Sequence, residues 1–91
     1  MRNLLPIGSV VLLKNSKKKV MIVGLLQVQE GNSKVYDYSA CIFPEGMIDP
    51  EHLYLFDNDQ IDSLYFMGFQ DGEGLSYMDR ICHMDETSSK T

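Results

Sequence analysis

Two apolar runs near the start of the chain, separated by a short polar segment, constrain its fold most. The first run covers residues 4–13, the second covers 20–24, and Lys14-Asn15-Ser16-Lys17-Lys18-Lys19 lies between them. Two aliphatic, β-branched runs joined by a short polar connection are typical of a β-hairpin. The continuously apolar segment Val10–Leu13 favours a strand covered on both faces. Its partner is predicted over Val20–Val28, leaving the core at its end, where the pattern becomes alternating.

A third strand is predicted from strict alternation. Tyr36, Tyr38, Ala40 and Ile42 fall on one face, and Asp37, Ser39 and Cys41 fall on the other. Because successive side chains of a strand point to opposite faces, the aromatic face is expected to be the core face. Phe43-Pro44-Glu45-Gly46 then predicts a turn, in which Gly46 takes a backbone conformation that other residues avoid.

The second half of the chain predicts shorter elements. Asp49-Pro50-Glu51 indicates a short helical turn, and Asp57-Asn58-Asp59-Gln60 indicates a second capped turn, with a short strand over 53–56 between them. Ser63–Phe69 is predicted to be the last strand, too apolar to be solvated on either face. Apolar residues at helical spacing from Leu75 to Met84 predict an amphipathic helix.

These elements predict a mainly β fold in a single domain of 91 residues. Four to five short strands at regular spacing favour a small, strongly bent antiparallel sheet or an SH3-like barrel with a short C-terminal helix. The core is expected over about 5–70, the helix over about 74–85 and a flexible tail over 86–91. The large aromatic residues are too numerous for so small a core to hide completely; we expect most to be buried and one or two to lie at the surface.

Targeting and cysteine signals are sparse. The start of the chain has one basic residue and an interrupted apolar stretch, which disfavours a signal peptide, and no apolar run approaches the roughly 20 residues of a membrane span. The only cysteines, Cys41 and Cys82, fall in different predicted elements, whereas a small secreted domain carries a denser disulfide framework. We therefore expect a soluble, cytoplasmic protein with reduced thiols.

The net charge of −5 is unevenly distributed along the chain. Residues 1–34 hold six basic residues against one acid, whereas the remainder holds twelve acids against Arg80 and Lys90. Such asymmetry favours a partner of complementary charge and disfavours nucleic acid as the partner of the acidic part. The alternative is an SH3-like nucleic-acid-binding module that uses the Lys17–Lys19 loop, although an exposed lysine turn is commoner than a binding site.

Catalytic and metal-binding patterns are not found. The acids over 57–62 resemble a calcium loop only at first, because glycine and glutamate are missing from the sixth and twelfth positions. Cys41, His52, Cys82 and His83 lack the paired spacing of zinc ligands. Adjacent helical residues point about 100° apart, so Cys82 and His83 do not form a nucleophile and base pair. We therefore expect no enzymatic activity, metal or cofactor, and rank a hydrolase that uses Cys82 or His83 last.

Four segments together resemble the small-protein family known as domain of unknown function 4176. They are Leu5-Pro6-Ile7-Gly8-Ser9-Val10-Val11-Leu12-Leu13, Lys19-Val20-Met21-Ile22-Val23-Gly24, Tyr36-Asp37-Tyr38-Ser39-Ala40-Cys41-Ile42-Phe43-Pro44-Glu45-Gly46, and Phe56-Asp57 followed by Ile61-Asp62-Ser63-Leu64-Tyr65-Phe66-Met67-Gly68-Phe69. The likeness runs from about Leu4 to Phe69, and its most specific part is the Tyr-Asp-Tyr strand leading into Pro-Glu-Gly.

The resemblance implies a role in type VII secretion. Members of that family are encoded in Gram-positive bacteria among type VII secretion genes, often beside toxins of the LXG class. A non-enzymatic accessory, chaperone or targeting protein that binds such a toxin or another secretion component is the function this implies. From the charge asymmetry and the surplus of aromatics we expect the partner-binding residues to be Tyr36, Tyr38, Phe43, Glu45, Phe56, Asp57, Asp59, Asp62 and Tyr65.

Overall fold

A computed structural model gives the fold and describes residues 4–28, Gly31 and residues 34–89. The strands of this part of the chain are β1 (Val10–Leu13), β2 (Lys19–Val28), β3 (Val35–Ile42), β4 (Tyr54–Phe56) and β5 (Ile61–Phe66). Two 3₁₀ turns cover Pro50–His52 and Asn58–Gln60, and helix α1 covers Gly72–Ser89. The mainly β prediction with one C-terminal helix is confirmed.

The strands form one open antiparallel sheet in the order β4-β3-β2-β1-β5. In a flat sheet, edge strands four spacings apart would be separated by about 19 Å. Yet β4 ends at Phe56 and β5 begins at Ile61, with a compact 3₁₀ turn between them. The two edges of the sheet therefore approach each other at this end, and the predicted strong bend is confirmed.

The opening hairpin is confirmed as β1 and β2. Val11 lies opposite Val20, and Leu12 lies opposite Lys19. Residues before β1 extend this pairing, because the Gly8 amide donates to the Ile22 carbonyl at 2.8 Å and the Ile22 amide donates to the Ser9 carbonyl at 2.9 Å. β2 is the longest strand, and it links the hairpin to β3 over most of its length. Its last residue, Val28, is exposed as expected.

The core lies on one face of the bent sheet. Its buried members are Val11, Val20, Ile22, Leu25, Tyr38, Ala40 and Phe56. Partly buried side chains from the N-terminal segment, the strands and α1 pack against them: Leu4, Leu5, Leu13, Ile42, Ile61, Met78 and Ile81. Full burial of one large apolar side chain stabilises a fold by about 1.5–3 kcal/mol. The prediction that the aromatic face of β3 faces the core is confirmed by Tyr38 and Ala40, although Asp37, Ser39 and Cys41 on its other face are buried as well.

The C-terminal third differs most from the predictions. β5 covers Ile61–Phe66 rather than 63–69, and its apolar side chains are exposed, so the expectation of a strand shielded on both faces is wrong. The reason is topological, since β5 is an edge strand that pairs with β1 alone among the described strands. Helix α1 is longer than predicted at both ends and includes residues 86–89 of the predicted tail, whereas residues 90–91 lie outside the described residues.

The expectation that most large aromatic residues are buried is also wrong. Only Tyr38 and Phe56 are fully buried among the aromatic residues of the described chain. The exposed ones are Phe43, Tyr54, Tyr65, Phe66, Phe69 and Tyr77. Aliphatic side chains fill most of the core instead, which leaves the rings to form the surface.

Candidate functional site

A run of large apolar side chains covers β5 and the residues that follow it. We call Leu64, Tyr65, Phe66, Met67 and Phe69 the β5 surface. Between 45% and 82% of each of these residues is exposed to solvent, with Phe69 the most exposed. Large apolar side chains that a monomeric protein leaves in water near one another often mark a site where another molecule binds.

The position of the β5 surface is fixed by tight backbone packing at Gly68. A Cβ atom at this position would lie 2.2 Å from the Ile7 carbonyl oxygen and 2.9 Å from the Ser9 amide nitrogen. The Gly68 amide donates a hydrogen bond to Ser9 Oγ at 3.0 Å, and both groups are buried. Ser9 Oγ in turn donates to the Pro6 carbonyl at 2.8 Å. The absence of a side chain at Gly68 therefore lets the chain after β5 lie directly against residues 6–9.

A small cleft lies next to the β5 surface, between residues 6–7, the segment after β5 and the first turns of α1. Its volume is about 90 Å³, and its apolar lining consists of Pro6, Ile7, Leu25, Phe69, Tyr77 and Met78. Gln70 and Gly74 also contribute to it. Leu25 belongs to the buried core, whereas Phe69 is largely exposed. The cleft thus leads from the solvent to the edge of the core.

The start of α1 is fixed by Asp71. Its Oδ1 atom accepts a hydrogen bond from the Gly74 amide at 2.9 Å, and its carbonyl accepts one from the Leu75 amide at 2.9 Å. An aspartate that caps the free amides of a first turn stabilises a helix by about 1 kcal/mol. This cap orients the turn that carries Gly74, Tyr77 and Met78 towards the cleft.

Of the predicted partner-binding residues, Tyr65, Phe43 and Glu45 meet around the lysine turn. The Lys19 ammonium group lies 5.2 Å from the centre of the Tyr65 ring, and the Lys19 carbonyl accepts a hydrogen bond from the Phe43 amide at 2.9 Å. Lys18 binds both carboxylate oxygens of Glu45, at 2.7 and 2.9 Å. This hydrogen bond from Lys18 lowers the pKa of Glu45.

A second group of predicted residues lies around Lys34. The Lys34 ammonium group lies 3.1 Å from Asp57 Oδ2 and 4.8 Å from the centre of the Tyr36 ring. The hydrogen bond to Asp57 raises the pKa of Lys34. Asp57 Oδ1 also accepts from the Asp37 amide at 3.0 Å, and Asp37 Oδ2 accepts from the Asn58 amide at 2.9 Å. These contacts tie β3 to the turn between β4 and β5.

Two predicted site residues lie in the core. Tyr38 and Phe56 are 0% and 1% exposed, and their ring centres are 5.4 Å apart. The Tyr38 hydroxyl group accepts a hydrogen bond from the Leu5 amide at 2.9 Å and donates one to Asn58 Oδ1. Burial raises the pKa of Tyr38, so its phenol stays neutral. Because a partner cannot reach buried rings, the structure assigns these two residues to the stability of the fold.

The remaining predicted residues are both exposed; Asp59 lies in the turn before β5, and Asp62 lies on β5. Asp59 borders an open concavity of about 520 Å³, whose other lining residues are Leu13, Lys14, Asn15, Ser16, Tyr54 and Gln60. This lining mixes opposite charges, amides and apolar groups. The predicted set is therefore spread over several parts of the molecule and does not form one site.

Several exposed apolar residues of β5, the cleft and the start of α1 are not identified from the sequence as candidate site residues: Ile7, Leu64, Phe66, Met67, Phe69, Leu75 and Tyr77. No local signal identifies them, because an apolar run in the sequence does not reveal whether its strand lies at the edge or in the middle of a sheet.

The described residues contain no group of three or more histidine, cysteine or acidic side chains placed to hold a metal ion. Cys41 and Cys82 are both buried and are not joined in a disulfide. Within the same part of the chain, α1 lacks the apolar length that a membrane-spanning helix requires.

Comparison with known protein families gives a match over most of the chain. The model of a family described as "Domain of unknown function (DUF4176)" matches residues 4–76. No curated protein and no solved structure shows significant similarity. The matched region includes the whole sheet, the β5 surface and the first turn of α1.

Proposed function

Because the chain belongs to the DUF4176 family, we propose that it is a non-enzymatic accessory, chaperone or targeting protein that binds a type VII secreted toxin of the LXG class or another component of that secretion system. The β5 surface carries this proposal. Five large apolar side chains exposed at one edge of a small sheet are costly to leave in water, and a protein partner would cover them. Binding would take place in the cytoplasm, before the toxin is exported.

The composition of the β5 surface suits a protein partner. It contains aromatic residues and methionine, both of which are enriched where proteins meet. Tyr65 combines a large apolar ring with a hydroxyl group, and the nearby Lys19 restricts its position through a contact with the ring face. Because an ordered aromatic side chain loses little conformational entropy on binding, Tyr65 and Phe66 are the residues we expect to contribute most affinity.

The nucleic-acid alternative has less support. Of the three lysines of the turn, Lys18 is paired with Glu45 and Lys19 lies half-buried over Tyr65. Only Lys17 projects into solvent without a contact to an acid or a ring described above. Nucleic-acid affinity grows with the number of phosphates that lysine and arginine neutralise, so this turn would bind nucleic acid weakly.

Co-purification tests the proposed function. The full chain, carrying an affinity tag, is co-expressed with an LXG-class toxin encoded beside it, and the retained toxin is quantified. We expect the wild-type chain to retain the toxin. The double variant Tyr65→Ser/Phe66→Ser should bind at least about tenfold more weakly, because it replaces two interface rings with small polar groups. Failure of the wild-type chain to retain any neighbouring toxin or secretion protein would refute the proposal.

A matched control separates the β5 surface from exposed aromatic residues in general. Tyr54 is about as exposed as the β5 residues but lies on β4, at the other edge of the sheet. Tyr54→Ser should leave toxin retention unchanged, and circular dichroism should show that all variants stay folded. Equal loss in Tyr54→Ser and in the double variant would mean that the β5 surface has no special role.

A further inference from the structure

We infer that the cleft beside the β5 surface takes one aliphatic side chain, leucine or methionine, from a segment of the partner whose neighbouring residues are lysine or arginine. The inference rests on the proposed function, since it specifies which feature of a protein partner this chain recognises. It goes beyond the β5 surface because it concerns the neighbouring cleft, which is formed jointly by residues 6–7, Leu25 and α1.

The size of the cleft limits what can enter it. An apolar cavity of about 150 Å³ in another protein accommodates benzene. The cleft here measures about 90 Å³, so a leucine or methionine side chain fits, whereas an indole ring does not. Alanine would fill little of it and would leave much of the apolar lining in contact with water.

The lining favours an apolar group over a polar one. Leu25 is 8% exposed and belongs to the core, and Pro6 is also buried. Around them, Ile7, Phe69 and Tyr77 remain about half exposed or more. A side chain that enters the cleft would therefore extend the core outwards and remove several apolar surfaces from water together.

The charged residues that neighbour the cleft lining in sequence are mainly acidic. Asp71, Glu73 and Asp79 are exposed, and each adjoins a residue that lines the cleft. Residues 4–13 contain no charged side chain, and Arg80 is the only basic residue between Phe66 and Cys82. Potentials of opposite sign across an interface favour binding, so basic residues beside the anchoring side chain complement this rim.

The cleft and the β5 surface are continuous, because Phe69 belongs to both. The close packing of Gly68 on Ile7 and Ser9 holds Phe69 at the side of the cleft. A partner that covers the β5 surface would thus lie next to the cleft and could insert one side chain without a change in the fold.

Nuclear magnetic resonance with short peptides tests this inference on the full chain. The probes are blocked pentapeptides Gly-Lys-Xaa-Lys-Gly in which Xaa is leucine, methionine, alanine or tryptophan, together with a leucine peptide whose lysines are glutamates. We expect the leucine and methionine peptides to shift the Gly74 amide and Met78 methyl resonances. Their affinity should exceed that of the alanine peptide by about tenfold, because more methylene groups are buried.

The variants and the other peptides give the remaining outcomes. Phe69→Ser should weaken binding of the leucine peptide, whereas Tyr54→Ser should not, and the glutamate and tryptophan peptides should bind less tightly than the lysine-flanked leucine peptide. Equal binding of the alanine and leucine peptides, or no shift at Gly74 and Met78, would overturn the inference. If the peptides fail in this way but the toxin is retained in the co-purification experiment, the inference about the cleft is wrong and the proposed function stands. If the leucine peptide binds as expected but no toxin is retained, the proposed function is refuted instead.

Discussion

Tyr38 connects three segments of the chain through one hydroxyl group. It accepts a hydrogen bond from the Leu5 amide and donates one to Asn58, while its ring packs on Phe56. Tyr38→Phe keeps the ring but leaves the Leu5 amide and Asn58 without this partner. We expect a loss of about 1–2 kcal/mol in the free energy of unfolding at pH 7, measured by urea denaturation. Tyr54→Phe is the control, because Tyr54 is half exposed, and it should change stability little.

The same residue makes stability depend on alkaline pH. Burial raises the pKa of Tyr38 above its ordinary value of 10.0, so the folded state holds the phenol proton more tightly than the unfolded state. The stability that the neutral, buried Tyr38 phenol contributes is fully present below pH 10 and is lost as the pH rises through the higher pKa of the folded state. The difference in stability between wild type and Tyr38→Phe should therefore narrow above pH 10. A constant difference from pH 7 to pH 11 would contradict this account.

The ion pair between Lys18 and Glu45 at the protein surface can be tested through the pKa of Glu45. Its pKa is lowered from 4.5, chiefly by the hydrogen bond from Lys18. Carbon-detected NMR titration should show the Glu45 pKa rising towards 4.5 in Lys18→Ala, whereas Lys17→Ala should leave it unchanged. Any stabilisation from the pair is present above pH 4.5 and is lost as the pH falls through the lower folded-state pKa. Because both side chains are exposed, we expect Lys18→Ala to leave the melting temperature nearly unchanged.

Gly68 determines how the chain leaves β5. A methyl group there would collide with the backbone of Ile7 and Ser9, which cannot move as a flexible side chain can. Gly68→Ala should therefore lower the free energy of unfolding by about 1–3 kcal/mol, as overpacking does in other cores. Gly72→Ala provides the matched control, since a methyl group at Gly72 meets nothing within 4 Å. Similar urea denaturation curves for the two variants would show that residues 6–9 tolerate the methyl group.

Local sequence patterns predict an element well where its residues follow one clear pattern. The apolar run of β1 gave its bounds directly, the alternation of β3 gave its core face, and the proline turn at Pro50–His52 followed from its capping residue. β5 was misplaced because an apolar run contains no information on which strands flank it. Its exposure depends on the sheet order, which puts β5 at an edge, and that order arises from contacts between distant segments.

The candidate site was harder to predict than the fold for the same reason. Tyr65 was identified, and it does lie on the exposed surface. Tyr38 and Phe56 were included with it, although the alternation that places Tyr38 on the core face already argued for burial. The cleft could not be predicted, because Pro6, Leu25 and Met78 are far apart in sequence and meet only after the sheet has bent and α1 has packed against it.

The small size of the protein explains why so much apolar surface remains exposed. A chain of 91 residues buries a smaller fraction of its surface than a larger domain, and this one places only two of its nine phenylalanine and tyrosine rings fully inside. Three of the six exposed rings, Tyr65, Phe66 and Phe69, lie within five residues of each other. Aliphatic residues therefore make up most of the core beside Tyr38 and Phe56, whereas most of the aromatic rings lie at the surface.

The two cysteines can show whether the sheet and α1 open as one unit. Cys41 lies on β3, which is paired on both sides, whereas Cys82 lies on α1, which packs on the core through Met78 and Ile81. Both thiols are buried, so a thiol reagent reaches them only when the structure opens. The variant Cys41→Ser leaves Cys82 as its single thiol, and Cys82→Ser leaves Cys41. We expect Cys82 to be labelled at least about tenfold faster than Cys41, which corresponds to a free energy of local opening that is about 1.4 kcal/mol lower. Low concentrations of urea should increase the labelling rate of Cys41 more than that of Cys82, because the opening that exposes Cys41 unfolds the whole sheet and uncovers more surface. Equal rates with equal urea dependence would show instead that α1 and the sheet unfold together, and that the cleft between them is as rigid as the core.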